Sequence, residues 1–433
     1  MSATTGGDVS AQAAQAAPDG TVTAADVEAA AARLAPAVTR TPLERNERLS
    51  ALVGGEVWLK REDLQQVRSY KVRGAYNLMA QLDGPTRKRG VVCASAGNHA
   101  QGVASACRTL GVTGRVYLPR TTPRQKQDRI AALGGGCVQL VVGEDTYDDA
   151  AVAAAADARS TGAVLVPAFD DPRTVAGQGT VALEVVEQLG RAPDLLVMPV
   201  GGGGLLAGMA TWSRARHPGT RLVGVEPAGA ASMHAALLAG TPTRLTSFDG
   251  FVDGAAVRKA GTVTFPLVRA SGADLTSVTE GRVCSEMLAL YQSDGVIAEP
   301  AGALASAALG EVVRPEPGSV TVCVVSGGNN DISRYSEVIE RSLVHEGLKH
   351  YFLVDFPQEP GALRRFLDDV LGPEDDITLF EYVKRNNRET GPALVGIEIR
   401  RCEDLEDLLA RMAVGPLHIE QIAPDSPAFR FLL

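Results

Sequence analysis

The sequence predicts an α/β protein in which parallel sheets are covered by helices on both faces, followed by a smaller α+β module. Three observations predict it. Short β-branched apolar runs alternate with Ala- and Leu-rich helical stretches from Thr23 to about Arg341. Those runs are almost continuously apolar, the pattern of strands buried on both sides. After Glu346 the texture changes to the order β-α-β-β-α-β, the split arrangement of ferredoxin-like modules.

Taken in order, the stretch Met1 to Gly20 is rich in Ala, Gly, Ser and Gln and reads as a disordered tail that reaches residue 22. It lacks the cationic start and apolar core of a signal peptide, and it lacks arginine. Thr23 to Glu28 reads as a capped helix start with acids in its first turn. Val91 to Ala94 is a strand, His99 to Leu110 a helix, Arg115 to Pro119 a strand, and Gln125 to Leu133 a helix. Val138 to Val142, Leu195 to Pro199, Arg221 to Val225 and Val320 to Val325 continue the strands. In the last module Tyr351 to Phe356, Ile377 to Lys384, Ala393 to Ile399 and His418 to Ile422 are strands. The helices are Ala362 to Val370 and Glu403 to Met412, and Arg385 to Pro392 is a polar loop.

The bulk numbers narrow the function. The chain has 433 residues, 45% hydrophobic and 21% charged, enough for two or three structural units with a sizeable core. The formal net charge is −9 and no basic block interrupts it, which argues against a nucleic-acid partner. No apolar run is long enough for a membrane span. Cys93, Cys107, Cys137, Cys284, Cys323 and Cys402 show no CxxC spacing, so buried reduced thiols in a cytoplasmic protein are expected, with no metal site. A small metabolite is the expected partner.

Four segments carry candidate chemistry. Ser69-Tyr70-Lys71-Val72-Arg73-Gly74-Ala75 offers one lysine, which alone could be an ordinary solvated helix lysine. Ser95-Ala96-Gly97-Asn98-His99 falls where a strand ends and a helix begins, so its unpaired amides and the helix dipole suit an anion. His99 taken alone reads as structural. Val200 is followed by Gly201, Gly202, Gly203 and Gly204, then Leu205, which opens a helix. Consecutive amides without side chains can wrap a phosphate. The segment is not GxGxxG and no acid follows at a ribose spacing, so one isolated phosphate fits better than a dinucleotide. In Val324-Val325-Ser326-Gly327-Gly328-Asn329 a strand again runs into small residues.

In that order and spacing the four segments resemble the fold-type II pyridoxal-phosphate (PLP) enzymes, the tryptophan synthase β-like group, and within it the threonine dehydratase (threonine ammonia-lyase) branch. The resemblance covers roughly Thr23 to Arg341 and implies a catalytic region of two parallel-sheet subdomains. It implies that Lys71 carries PLP as a Schiff base and acts as the base. It implies that Asn98 contacts the cofactor's 3′ oxygen, that Gly201 to Leu205 bind its phosphate, and that Ser326 faces the pyridine nitrogen. The Ser95, Ala96, Gly97, Asn98, His99 turn would grip the substrate carboxylate. Glu299 to Ala303 and Asp253-Gly254 would line the site. Such enzymes convert L-threonine to 2-oxobutanoate and ammonia. A serine at the ring nitrogen cannot hold it protonated as an aspartate would, which favours prompt loss of a β-leaving group.

Phe356 to Leu363 resembles the ACT-like regulatory domain of the same enzymes, and the chain has room for one such module, as in the short biosynthetic form. The resemblance implies feedback by isoleucine, or valine, and a homotetramer or homodimer. The expected units are a tail at 1–22, a catalytic domain at 23–341, a linker at 342–348, an ACT-like domain at 349–425 and a tail at 426–433. Two other readings stay open: a serine-preferring dehydratase, and a catalytically silent amino-acid sensor. Serine racemases carry a serine where this chain has Ala96, which has no proton to give, and use an acidic metal cluster. Here Glu226 is followed by no carboxylate through Ser232.

Overall fold

The computed structural model describes residues 21–382, 384, 388–415, 417–424, 426, 428, 429 and 432. Its strands are β1 (Leu43–Arg45), β2 (Glu56–Arg61), β3 (Val91–Ala94), β4 (Gly114–Pro119), β5 (Val138–Glu144), β6 (Val164–Leu165), β7 (Leu195–Pro199), β8 (Arg221–Pro227), β9 (Asp274–Val278), β10 (Val320–Val325), β11 (Lys349–Pro357), β12 (Asp376–Tyr382), β13 (Thr390–Glu398) and β14 (His418–Ile422). They form three sheets, ordered β1-β2-β10-β7-β8-β9, β5-β4-β3-β6 and β12-β13-β11-β14.

The β5-β4-β3-β6 sheet is parallel throughout. The larger one is parallel except for its edge, where β1 runs antiparallel to β2, with Leu43 opposite Lys60. The expected parallel sheets are present, with one antiparallel strand added at that edge. Both faces of the large sheet are covered, as the apolar runs required. Along β10, Cys323 and Val325 join one core while Val322 and Val324 join the opposite one. Leu195 and Val197 against Leu196 and Met198 divide the same way on β7. Period-two alternation between two cores leaves no polar face for these strands.

β1, β2, β6 and β9 carry no clear apolar signal. β2 reads EVWLKR, yet Lys60 and Arg61 are buried in it. Lys60 Nζ meets Glu184 Oε2 at 2.7 Å, and Arg73 bridges Glu62 and Glu184 at 2.7 Å each. Thr41 donates to Glu62 at 2.6 Å. Three buried charges and the half-buried Glu184 therefore compensate one another. Three helices converge beside this network with glycines at the crossings. A side chain on Gly177 would stand 2.6 Å from the Arg73 carbonyl, and one on Gly208 2.2 Å from that of Val175. The Lys71–Ala80 and Gly204–Arg216 helices thus both pack at backbone distance on the Pro172–Leu189 helix.

The last module has the expected β-α-β-β-α-β order with an antiparallel sheet. Its core joins Phe352, Val354 and Phe356 to Phe366, Leu408 and Met412 of its two helices. β13 begins at Thr390, inside the expected loop 385–392, and pairs with Pro357. Residues 383 and 385–387 of that region lie outside the described residues, as do 1–20 of the expected tail. Val22, placed in that tail, is buried in the core under the large sheet. Phe429, placed in the expected tail 426–433, is buried against Tyr351 at 5.7 Å between ring centroids. No described helix is long and apolar enough to cross a membrane. Cys93, Cys107, Cys284 and Cys323 are buried thiols, whereas Cys137 is half-buried and Cys402 exposed.

Candidate active site

A cavity of about 1220 Å³ lies between the six-stranded sheet and the β5-β4-β3-β6 sheet, at the carboxyl ends of β3, β7 and β10. That is where open α/β sheets place ligands. Lys71, the turn Ser95 to His99, Gly201 to Leu205 and Glu299 all border it.

Lys71 opens the Lys71–Ala80 helix. Its Nζ lies 3.5 Å from the Ala168 carbonyl oxygen and 5.1 Å from the Tyr70 ring centroid. The helix that starts at Asn98 reaches Lys71 closely, since a side chain on Gly102 would meet the Lys71 backbone at 3.1 Å. The turn before that helix is tied locally, with Gly97 N donating to Ser95 Oγ at 3.3 Å.

The glycine loop joins β7 to the Gly204–Arg216 helix. A side chain would collide at Gly201 with the Ala255 carbonyl at 2.7 Å and at Gly202 with the Phe169 ring at 2.4 Å. Gly203 has φ of 92°, a left-handed conformation that glycine adopts without strain. The loop can present only backbone, and the first N–H groups of the helix have no intrahelical acceptor. An amide cradle at the positive end of a helix, with an amine across the cavity, fits a phosphorylated aldehyde such as PLP.

The side chains of two expected site residues are bonded to backbone carbonyls. The His99 side chain is buried with Nε2 2.8 Å from the Val166 carbonyl oxygen, and burial pushes its imidazole down to about 4. This is the structural role that its side chain was expected to have, and its backbone remains part of the Ser95 to His99 turn. Ser326 is buried and donates to the Ala301 carbonyl oxygen at 3.2 Å, and it lies behind the cavity wall rather than in it. Its hydroxyl would have to turn away from Ala301 to meet a ligand.

Glu299 was expected only to line the site and Asn329 only to close the fourth segment, and the structure brings both to Asn98. Asn98 Nδ2 donates to Glu299 Oε1 at 2.6 Å, while Asn98 Oδ1 accepts from Asn329 Nδ2 at 2.6 Å. Burial, reinforced by Asp253, pushes the Glu299 carboxyl up to about 7. The Glu299 to Ala303 segment and the Asn after the Ser-Gly-Gly run were the sequence signals, and neither said that the two side chains meet Asn98. Lys126 and Asp253 face each other at 3.3 Å on the cavity rim. Away from the site, Glu226 is buried and accepts from Met233 N at 2.7 Å and His234 N at 2.8 Å. It caps the Ser232–Ala239 helix.

Comparison with known proteins agrees with this geometry. Residues 34–327 match the family model described as pyridoxal-phosphate dependent enzyme. Residues 340–432 match the model described as the C-terminal regulatory domain of threonine dehydratase. The biosynthetic L-threonine dehydratase of Mycobacterium tuberculosis is 64% identical over 398 residues, covering 92% of each chain. That of Bacillus subtilis is 49% identical over 396 residues, covering 92% of this chain and 94% of that one. Among solved structures, the processed form of tomato (Solanum lycopersicum) threonine deaminase isoform 2 superposes with a TM-score of 0.70 at 37% identity. It covers 73% of this chain and 92% of that one. Maize serine racemase superposes with a TM-score of 0.69 at 31% identity, covering 75% and 98%. With its Lys71 amine and four-glycine cradle on one cavity and a regulatory module behind them, the chain belongs to the PLP-dependent enzymes of the biosynthetic threonine dehydratase family.

Proposed function

We propose that this protein removes water and then ammonia from L-threonine, giving 2-oxobutanoate, under feedback control by its C-terminal module. The observation that carries the reading is the convergence of Lys71, Asn98 and the Gly201 to Gly204 loop on one cavity. These residues come from segments far apart in the chain, and together they supply an amine, a carboxamide and a phosphate cradle.

In this reading Lys71 would hold PLP covalently, Gly201 to Leu205 would hold its phosphate, and Asn98 would hold its phenolic oxygen. Ser326 would meet the pyridine nitrogen once its hydroxyl turns from the Ala301 carbonyl. When bound, the cofactor supplies an electron sink for the charge left as the substrate loses its α-proton. The residues do the rest. The Lys71 amine would take the proton from the substrate α-carbon. The Ser95 to His99 turn holds the substrate carboxylate on backbone amides at the start of the Asn98–Leu110 helix. The walls position the β-hydroxyl for departure while limiting water. The enamine product tautomerises and hydrolyses to 2-oxobutanoate and ammonia. Isoleucine, or valine, is the effector, and a cytoplasmic homotetramer or homodimer is the working form.

The test is to measure oxoacid release from threonine and from serine side by side, with and without isoleucine. Preferential turnover of threonine, reduced by isoleucine, is the expected result. Preference for serine would install the serine dehydratase reading, and no turnover of either would install the silent sensor.

A further inference from the structure

Three polar side chains form a directed line along the cavity wall, starting from one backbone carbonyl. Asn329 Nδ2 donates to the Val67 carbonyl oxygen at 2.8 Å and to Asn98 Oδ1 at 2.6 Å. Asn98 Nδ2 then donates to Glu299 Oε1 at 2.6 Å. The shape of a carboxamide does not say which end is nitrogen, so its partners must decide. Here one end of the line is unambiguous. A backbone carbonyl can only accept, so Asn329 must turn its NH₂ toward Val67. The second hydrogen of that NH₂ points at Asn98, which must therefore meet it with oxygen. The Asn98 NH₂ is left facing Glu299 and the cavity, with one hydrogen for Glu299 and one for a ligand.

The anchor of the line is itself held in place. Val67 precedes the Lys71 helix in a segment that pairs with the end of β10. Ser69 bridges Gly327, Tyr70 N donates to the Ser326 carbonyl at 3.1 Å, and Gly328 N donates to the Arg68 carbonyl at 2.9 Å. Arg68 has φ of 57°, the one non-glycine residue with positive φ among the described residues. A strained residue kept by its surroundings beside a cavity is a common mark of a functional constraint.

We propose that Asn329 is a positioning residue that sets the direction of the Asn98 carboxamide, so that Asn98 offers N–H rather than C=O to the cofactor. The inference rests on the reading of Lys71 and Asn98 as cofactor-binding residues. A phenolic oxygen that meets an N–H is stabilised as the anion, whereas one that meets a carbonyl keeps its proton. Asn329 therefore governs the protonation of a group that it does not touch.

The test uses full-length protein loaded with PLP. Asn329→Asp keeps the shape of the side chain but replaces the NH₂ with an acceptor. Asn329→Ser keeps one donor hydrogen where two are needed, and gives the same change in smaller measure if Asn329→Asp is not recovered folded. The expected result is transfer of the cofactor's visible absorption toward the near-ultraviolet. The PLP dissociation constant should rise on the order of tenfold, the scale of one misdirected buried hydrogen bond. With Asn98→Ala already present, the same substitutions should change affinity by no more than about twofold, because the group they orient is gone. Unchanged absorption and affinity in the single variants, or equal effects in both backgrounds, would overturn the inference. Failure of the underlying reading looks different: the unaltered protein would then lack the visible band, or Lys71→Ala would keep it.

Discussion

Arg334 donates to the Phe251 carbonyl oxygen at 2.8 Å and lays its guanidinium 4.6 Å from the centroid of the same residue's ring. Arg341, on the Tyr335–His345 helix that begins beside Arg334, lies over that ring as well, at 4.3 Å. The helix thus grips the loop that carries Asp253 and Gly254 to the cavity. On the same helix Glu340 accepts from the Tyr351 hydroxyl and from Lys349 Nζ, both on β11 of the regulatory module. Burial, with Glu340 alongside, pushes the Tyr351 phenol up and keeps it a donor. Coupling between domains requires an element that both sides bias, and this helix touches both. Glu340→Ala is expected to keep basal turnover and shift the isoleucine midpoint by about twofold to thirtyfold. Steady-state titrations with isoleucine check it, and an unchanged midpoint would exclude this route.

Truncation after Glu346 removes the regulatory sheet and leaves every cavity residue in place. The shortened protein is expected to bind PLP and deaminate threonine without responding to isoleucine or valine. Removing the β11 partner of Glu340 should also lower its melting temperature. Retained inhibition in a folded truncated protein would put the effector site in the catalytic domain.

Lys71→Ala deletes both the proposed anchor and the proposed base. Turnover should fall on the order of a thousandfold or more. Lys71 makes no short side-chain hydrogen bond, its nearest partner being Ala168 O at 3.5 Å, so the fold should persist. Absorption spectra, circular dichroism and oxoacid assays on one preparation decide the point.

Glu299 and Glu226 give the PLP-free protein a pH signature. Burial pushes both carboxyls from an ordinary 4.5 up to about 7. Below pH 4.5 both are protonated in the folded and the unfolded chain, and their contribution to stability is complete. As pH rises from 4.5 to 7 the unfolded chain ionises first, so that contribution is progressively lost. Ionising one such group in the folded state costs on the order of 3 kcal/mol. Glu299→Gln should therefore flatten the fall in urea midpoint between pH 5 and 8 without abolishing it, because Glu226 remains. A slope equal to that of the unaltered protein would contradict the assignment.

Much of this protein is written locally. The apolar runs that became β3, β7, β8 and β10 needed only their own residues to declare strands buried on both faces. Gly201 to Gly204 declared a phosphate-sized turn, because absence of side chains is itself a local property. The β-α-β-β-α-β module followed from periodicity, although β13 starts earlier than its polar residues suggested, since cross-strand pairing with β11 outweighs their low strand preference. Other features depend on which segments the topology brings together. β2 is a strand because Lys60 and Arg61 find carboxylates, one of them Glu184, 124 residues away. The His99 imidazole finds its partner in the Val166 carbonyl, 67 residues away. Asn98, Glu299 and Asn329 meet across separations of 201 and 231 residues, and no local pattern announces the meeting. Short-range patterns encode backbone conformation and burial, whereas the direction of a hydrogen bond between distant side chains exists only once the sheets have closed around them.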